Sequence, residues 1–246
     1  MIRRQRLLLV CVLGILAACA RDPAPSADAL RPLAPAGASA SAFPAPDRPV
    51  ARIVTDTWSD ERSRDDAGEA ERVMEVLDLR PGMAVADIGA GSGYYTMRLS
   101  PRVGPSGRVY AEDIVPQYLE DLRNRVRGDG LGNVSVALGE PHDPRLPTGS
   151  LDLALLVHMY HEIEQPYGLL HNLRRALRPG GRVAIIDLDR STARHGTPPA
   201  LLRCELARAG YAQTEAHDLG RAGGYLAVFV PRGEPPAPAA IRPCPA

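Results

Sequence analysis

Apolar positions in the middle of the chain change period repeatedly, and the changes mark out elements. Ala70, Val73, Met74, Val76 and Leu77 recur at helical spacing, which predicts a helix over 67–79 that Arg80-Pro81-Gly82 stops. The run Ala84-Val85-Ala86-Asp87-Ile88 reads as a short buried strand that ends beside a glycine-rich turn. A helix through Leu99, a strand over 108–112 and a helix from Pro116 to about Arg127 follow, with proline at the first helical turn. Strands over 133–138 and 151–157, a helix over 166–177, a strand over 182–187 and a helix over 199–209 come next. Two strands near 212–217 and 225–230 complete seven. Strands alternating with helices predict an α/β fold, a doubly wound sheet that is mostly parallel and covered on both faces. Right-handed crossovers then place the strand C-termini, and any ligand, along one edge. The short Gly-containing link between the last two strands makes them an antiparallel hairpin.

The ends have a different texture. Arg3, Arg4 and Arg6 precede an apolar run from Leu7 to Ala17, the charge and length of a signal peptide and too short for a comfortable membrane span. The run ends in Leu16-Ala17-Ala18-Cys19, which resembles a bacterial lipobox. That resemblance implies cleavage after residue 18, acyl chains on Cys19 and, with Ala20 next, an outer-membrane destination. Several acyl chains anchor stably where one does not. Residues 20–50 hold ten Ala and seven Pro among 31, which reads as a disordered tether from Cys19 to residue 50. The Pro-rich tail over 231–246 reads the same way, leaving one domain over 51–230. Cys204 and Cys244 remain in the mature chain, and an exported compartment permits but does not require their pairing.

Composition narrows the function. The 29 basic and 29 acidic residues balance, unlike the basic excess of a nucleic-acid binder. Every basic residue other than His is Arg, so no Lys serves as base or Schiff-base former.

The chemical signal is Asp87-Ile88-Gly89-Ala90-Gly91-Ser92-Gly93, leaving a strand and entering a helix. A dinucleotide loop needs a small residue at position 94, where this chain has Tyr94. Glycines at 89, 91 and 93 with an acid two residues earlier instead give D-x-G-x-G-x-G, and the chain resembles class I S-adenosylmethionine-dependent methyltransferases of the type 11, UbiE-like group. The resemblance runs over roughly residues 70–230 and implies a Rossmann-like fold with S-adenosylmethionine as cofactor. It implies that Asp87, Gly89, Ala90, Gly91 and Gly93 hold the amino-acid part. Asp113 would take the ribose hydroxyls, with Glu112 as a more solvated alternate, and Ile114 the adenine face. Asp143, in the loop Gly139 to Pro147, would take the adenine amino group.

The acceptor side is thinner. Val157-His158-Met159-Tyr160-His161-Glu162 ends the fourth strand where this family faces the transferred methyl. His161 is a candidate general base, and Tyr160 or His158 a candidate for orienting the acceptor. Packing of the next helix is the equal alternative for each. No metal is expected, because His158, His161 and Glu162 do not make the H-E-x-x-H pattern. The polar segment around Trp58, from 58 to 65, reads as a lid over the pocket or as a solvated loop. A small-molecule or lipid acceptor is compatible with the tether. Export conflicts with a cofactor made in the cytosol. Either the fold has been repurposed as a tethered, non-enzymatic binding protein, or translation starts near Val50 or Val54 and the chain is cytoplasmic.

Overall fold

Strand β1 (Ala84–Ile88) is buried at all five positions, as a strand with neighbours on both edges and helices on both faces must be. It pairs in parallel with β2 (Arg108–Asp113) on one side and β4 (Leu151–Val157) on the other. Strand β3 (Val134–Leu138) flanks β2, and β5 (Leu177–Asp187) flanks β4, both in parallel. Antiparallel β7 (Gly224–Pro231) and then β6 (Tyr211–Leu219) close the other side, giving the order β3-β2-β1-β4-β5-β7-β6. The order reverses between β1 and β4, which opens a crevice beyond their C-terminal ends. A computed structural model supplies this architecture and describes residues 30–53 and 61–245. The signal segment over 1–18, the lipid-bearing Cys19 and the stretch Trp58 to Asp60 lie outside the described residues. Among those described, no helix is long and apolar enough to cross a membrane.

The helices are α1 (Glu61–Asp66), α2 (Glu69–Val76), α3 (Tyr94–Val103), α4 (Pro116–Gly128), α5 (Pro166–Ala176) and α6 (Pro199–Arg208). Alternation along β4 shows how they cover the sheet. Ala154 and Leu156 pack with Leu170 and Leu173 of α5 and Leu202 and Leu206 of α6 on one face. Leu153 and Leu155 pack with Val73 of α2 and Leu99 of α3 on the other. The helix expected over 67–79 is shorter at both ends, with Gly68 left-handed before it and Asp78 at φ 50° after it.

The Ala/Pro-rich segment departs from expectation. Residues 30–53 are not a free tether but a strap bound to the domain. Its backbone makes the contacts that its small side chains lack. Leu33 donates to the Arg145 carbonyl, Leu138 donates to that of Arg31, and Ala51 donates to that of His161. Asn172 of α5 both accepts from Ala38 N–H and donates to its carbonyl. The tail is tied down as well, with Ile241 buried against Phe43 and Tyr167. Cys204 of α6 and Cys244 of the tail form a disulfide across 40 residues. Closing a loop of that length contributes about 2–4 kcal/mol. Reduction, or Cys244→Ser, is therefore expected to lower Tm by about 5–15 °C in thermal unfolding, given about 2–4 °C per kcal/mol for a domain of this size. Overlapping melts with and without reductant would contradict this.

Candidate active site

A pocket opens at the β1/β4 reversal, walled by the ends of β1, β2 and β4 and by α1. Its floor is the glycine loop. Gly89 turns at φ 69°, a backbone conformation that favours glycine, and a Cβ there would crowd the Met159 side chain, 2.9 Å from its Cε. Gly93, at φ 90°, precedes α3, and a Cβ there would meet Leu122 of α4 at 2.3 Å. Gly89, Ala90 and Gly91 line the pocket, while Gly93 works behind it by seating α3 against α4.

Three acids converge on this floor. Asp87 is buried and accepts the Thr96 hydroxyl at 2.6 Å. Burial pushes its carboxyl up to about 6. Asp113 accepts Gly91 N–H and Val115 N–H, both at 2.9 Å, and so braces the glycine loop from β2. Burial raises it too. Glu112, expected to be solvated, is instead 2 % exposed on the pocket wall. Burial and the neighbouring Asp113 hold it well above the usual carboxylate range, and its Oε1 has no hydrogen-bond partner among the described residues. Ile114 lines the pocket beside them. Asp143 does not line it. Its two oxygens are taken by Gly37 N–H of the strap at 2.7 Å and by Arg145 N–H at 2.9 Å, and Glu140 and Pro141 of the same loop reach the pocket instead.

The three acceptor-side candidates separate. His158 is on the pocket wall, buried, at a left-handed φ of 52° fixed by its N–H bond to the Ile186 carbonyl. Burial lowers its pKa, so it is neutral near pH 7. Tyr160 is fully buried away from the pocket, with the Arg48 guanidinium 5.5 Å from its ring centroid. His161 also lies off the pocket, its Nδ1 3.0 Å from each oxygen of Asp187. Strand geometry explains the split: the turn after β4 aims one of these side chains into the crevice and the others into the layers behind it.

Helix α1 forms part of the wall that the sequence left open between lid and loop. Glu61 and Arg64 line the pocket. Arg64 donates to both oxygens of buried Glu69 and lies 3.8 Å from the Tyr94 ring centroid, while Arg125 of α4 holds Glu61 and Arg98 of α3 holds Asp65. Tyr94, Arg98 and Arg125 lie about 30 to 64 residues from these α1 partners, so no local pattern announces them.

Residues 86–185, which contain the glycine loop and the β1, β2 and β4 termini, match the family model for the methyltransferase domain. That stretch is similar to a methyltransferase domain. A S-adenosylmethionine-dependent methyltransferase of known structure from Aquifex aeolicus superposes with a TM-score of 0.65 at 26% identity, over 72% of this chain and 97% of that one. The nocamycin O-methyltransferase of Saccharothrix syringae is 33% identical over 47% of this chain and 41% of that protein. A UbiE ubiquinone/menaquinone biosynthesis C-methyltransferase of a Shewanella species is 29% identical over 48% and 47%. The chain thus spans less than half the length of these two curated relatives. The likeness to that family model and to the Aquifex structure points to S-adenosylmethionine as cofactor, and the lining of the pocket fits it. The pocket offers a buried carboxylate in Asp87 that suits an ammonium and, in Asp113 and Glu112, carboxyl oxygens with spare lone pairs that suit hydroxyl groups.

Proposed function

We propose that this chain is a S-adenosylmethionine-dependent methyltransferase acting on a small-molecule or lipid acceptor. The observation that carries the reading is the convergence of Asp87, Glu112 and Asp113 with the Gly89–Gly91 backbone on one pocket at the sheet's reversal point. The cofactor, when bound, supplies a methyl group on an electrophilic sulfonium. Asp87 would meet the ammonium, Asp113 and Glu112 would take the ribose hydroxyls, and Ile114 would cover the adenine. His158, neutral at working pH, orients the acceptor or takes its proton. Methyl displacement depends mainly on alignment, so the rigid β1 and β4 termini do most of the work. Balanced charge argues against a nucleic-acid acceptor.

We also infer that the domain works in the cell envelope of a bacterium, held by acyl chains on Cys19, on the outer membrane and facing the periplasm. The basic start, the apolar run and the Leu16-Ala17-Ala18-Cys19 sequence support this, and so does a disulfide, which persists in oxidising compartments. Membrane association lost in Cys19→Ser tests the anchor, and a native N-terminus near Val50 would sink it.

Calorimetric titration with S-adenosylmethionine and S-adenosylhomocysteine tests the cofactor reading. Micromolar binding is expected. No binding by a folded chain would shift the reading to a non-enzymatic binding protein on a repurposed fold. The Asp87 carboxyl adds a pH signature. Below its folded value of about 6 it is protonated and offers no counter-charge. Affinity is therefore expected to fall about tenfold per pH unit below pH 6 and to level off above it. The sign reverses for the cofactor-free chain. A carboxyl raised from 3.8 resists ionising in the fold, so stability falls as pH rises from 3.8 towards 6. Titrations at pH 5, 6 and 7.5 check the first, and urea unfolding over the same range checks the second.

A further inference from the structure

Behind the pocket, three side chains from two separate turns meet. His161 and Glu162 sit on the turn after β4, and His195 ends the turn Thr192–Arg194 that follows β5. The His161 ring is 1 % exposed. Its Nδ1 lies 3.0 Å from both oxygens of Asp187, a fully buried carboxylate that also accepts Leu188 N–H at 2.8 Å and the Thr197 hydroxyl at 2.7 Å. An ionised carboxylate so placed only accepts, so Nδ1 donates to it and Nε2 is the nitrogen left to offer a lone pair to an ion. That Nε2 is buried and has no hydrogen-bond partner among the described residues.

What Nε2 faces is Glu162 Oε1 at 3.9 Å, and the same oxygen stands 3.8 Å from His195 Nδ1. Both separations are too long for hydrogen bonds. They are close to what a shared ion needs, since two ligands each about 2.0–2.2 Å from zinc stand roughly 3.3 Å apart in tetrahedral geometry. One ligand atom from each of the three residues lies within 4.8 Å of the others, and the two imidazole rings are nearly perpendicular, at 88°. His195 holds a left-handed φ of 56° at the end of a short turn, with its side chain partly exposed. Two imidazoles and one carboxylate form a three-ligand set that leaves a fourth position open on zinc. A buried carboxylate on the far nitrogen of a ligating histidine is the usual device for fixing that ring.

We propose that His161 Nε2, Glu162 Oε1 and His195 Nδ1 bind a divalent transition-metal ion of the zinc type, with Asp187 orienting His161. The sequence grouped His158 with His161 and Glu162 and found no metal pattern; the fold replaces His158 with His195, which lies 34 residues beyond His161. Glu162 also lines the pocket, so the ion would border it, and the metal site does not depend on the methyltransferase reading.

The test is zinc titration of the purified, untagged and chelator-stripped chain by calorimetry, with cobalt uptake followed by its visible absorption. One ion per chain is expected, and the cobalt spectrum should be that of a low-coordinate site with nitrogen ligands. His195→Ala, at a partly exposed position, should weaken binding at least tenfold without unfolding the chain. Asp187→Asn should weaken it about 10- to 100-fold, as loss of an outer partner does. His217→Ala, which removes the exposed histidine that pairs with Glu215, should leave it unchanged. No zinc uptake, unchanged affinity in His195→Ala, or a loss confined to His217→Ala would each overturn the proposal.

Discussion

Arg48→Ala is expected to destabilise the chain by about 3–5 kcal/mol, the cost of breaking a buried ion pair from one side. That corresponds to a fall in Tm of about 6–20 °C. The guanidinium and its partner Glu205 of α6 are both completely shielded from solvent, with Nε 2.9 Å from Oε1. The remaining nitrogens donate to the carbonyls of Pro49, Tyr160 and His161. One side chain of the strap therefore satisfies α6 and two carbonyls of the turn that carries the acceptor side of the pocket. Alanine would leave the Glu205 carboxylate buried without its counter-charge and the carbonyls without donors. The double variant Arg48→Met/Glu205→Leu separates charge from packing. Apolar residues of similar volume often match a buried pair, so it should recover most of the loss. Thermal and urea unfolding of the three proteins decide the matter, and a change below about 1 kcal/mol in Arg48→Ala would mean that the strap is not part of the cooperative unit.

That strap marks the limit of what the sequence reveals. Strands β1 and β4 are legible to the residue, because a central parallel strand is a short unbroken apolar run. Edge strand β6 extends past the expected 212–217 to Tyr211–Leu219, because its solvated side alternates with polar residues that look like loop. Residues 30–50 look like a free tether for a different reason. Small side chains suggest that a segment buries nothing, yet this one is held by backbone hydrogen bonds and by Arg48, to partners more than 100 residues away. The same long-range pairing diverts Asp143 from the pocket.

That Asp87 and Gly89 to Gly91 meet at one pocket is legible in the sequence because a single strand-to-helix turn holds them together. Whether Glu112 or Asp113 faces the ligand, and which of His158, Tyr160 and His161 does, depends on strand direction at two sheet termini. His195 was invisible, since only the packing of the loop after β5 against the turn after β4 brings it beside Glu162. Sequence periodicity reports which face of its own element a residue occupies; it is silent on which distant element that face meets.

Asp87→Asn is expected to weaken S-adenosylmethionine binding by about 2–5 kcal/mol, the range for removing one partner of a buried, hydrogen-bonded charge pair. That is about thirtyfold to several thousandfold in Kd. Asparagine is nearly isosteric, and its amide oxygen can still accept the Thr96 hydroxyl, so the floor of the pocket keeps its shape. What disappears is the charge. An Asp87 carboxyl raised to about 6 is costly to ionise in the cofactor-free fold, and the amide is spared that cost. The variant is therefore expected to be more stable than the parent at pH 7, by up to about 3 kcal/mol, while binding worse. Its affinity should also lose the rise through pH 6. A residue that serves only packing produces neither the opposed pair of changes nor the lost pH dependence. Calorimetry at pH 5 and 7.5 beside urea unfolding reads all three, and undiminished binding by Asp87→Asn would remove Asp87 from the site. Opposite signs in stability and affinity would instead show that the fold holds an acid there at its own expense, for a cation that arrives later.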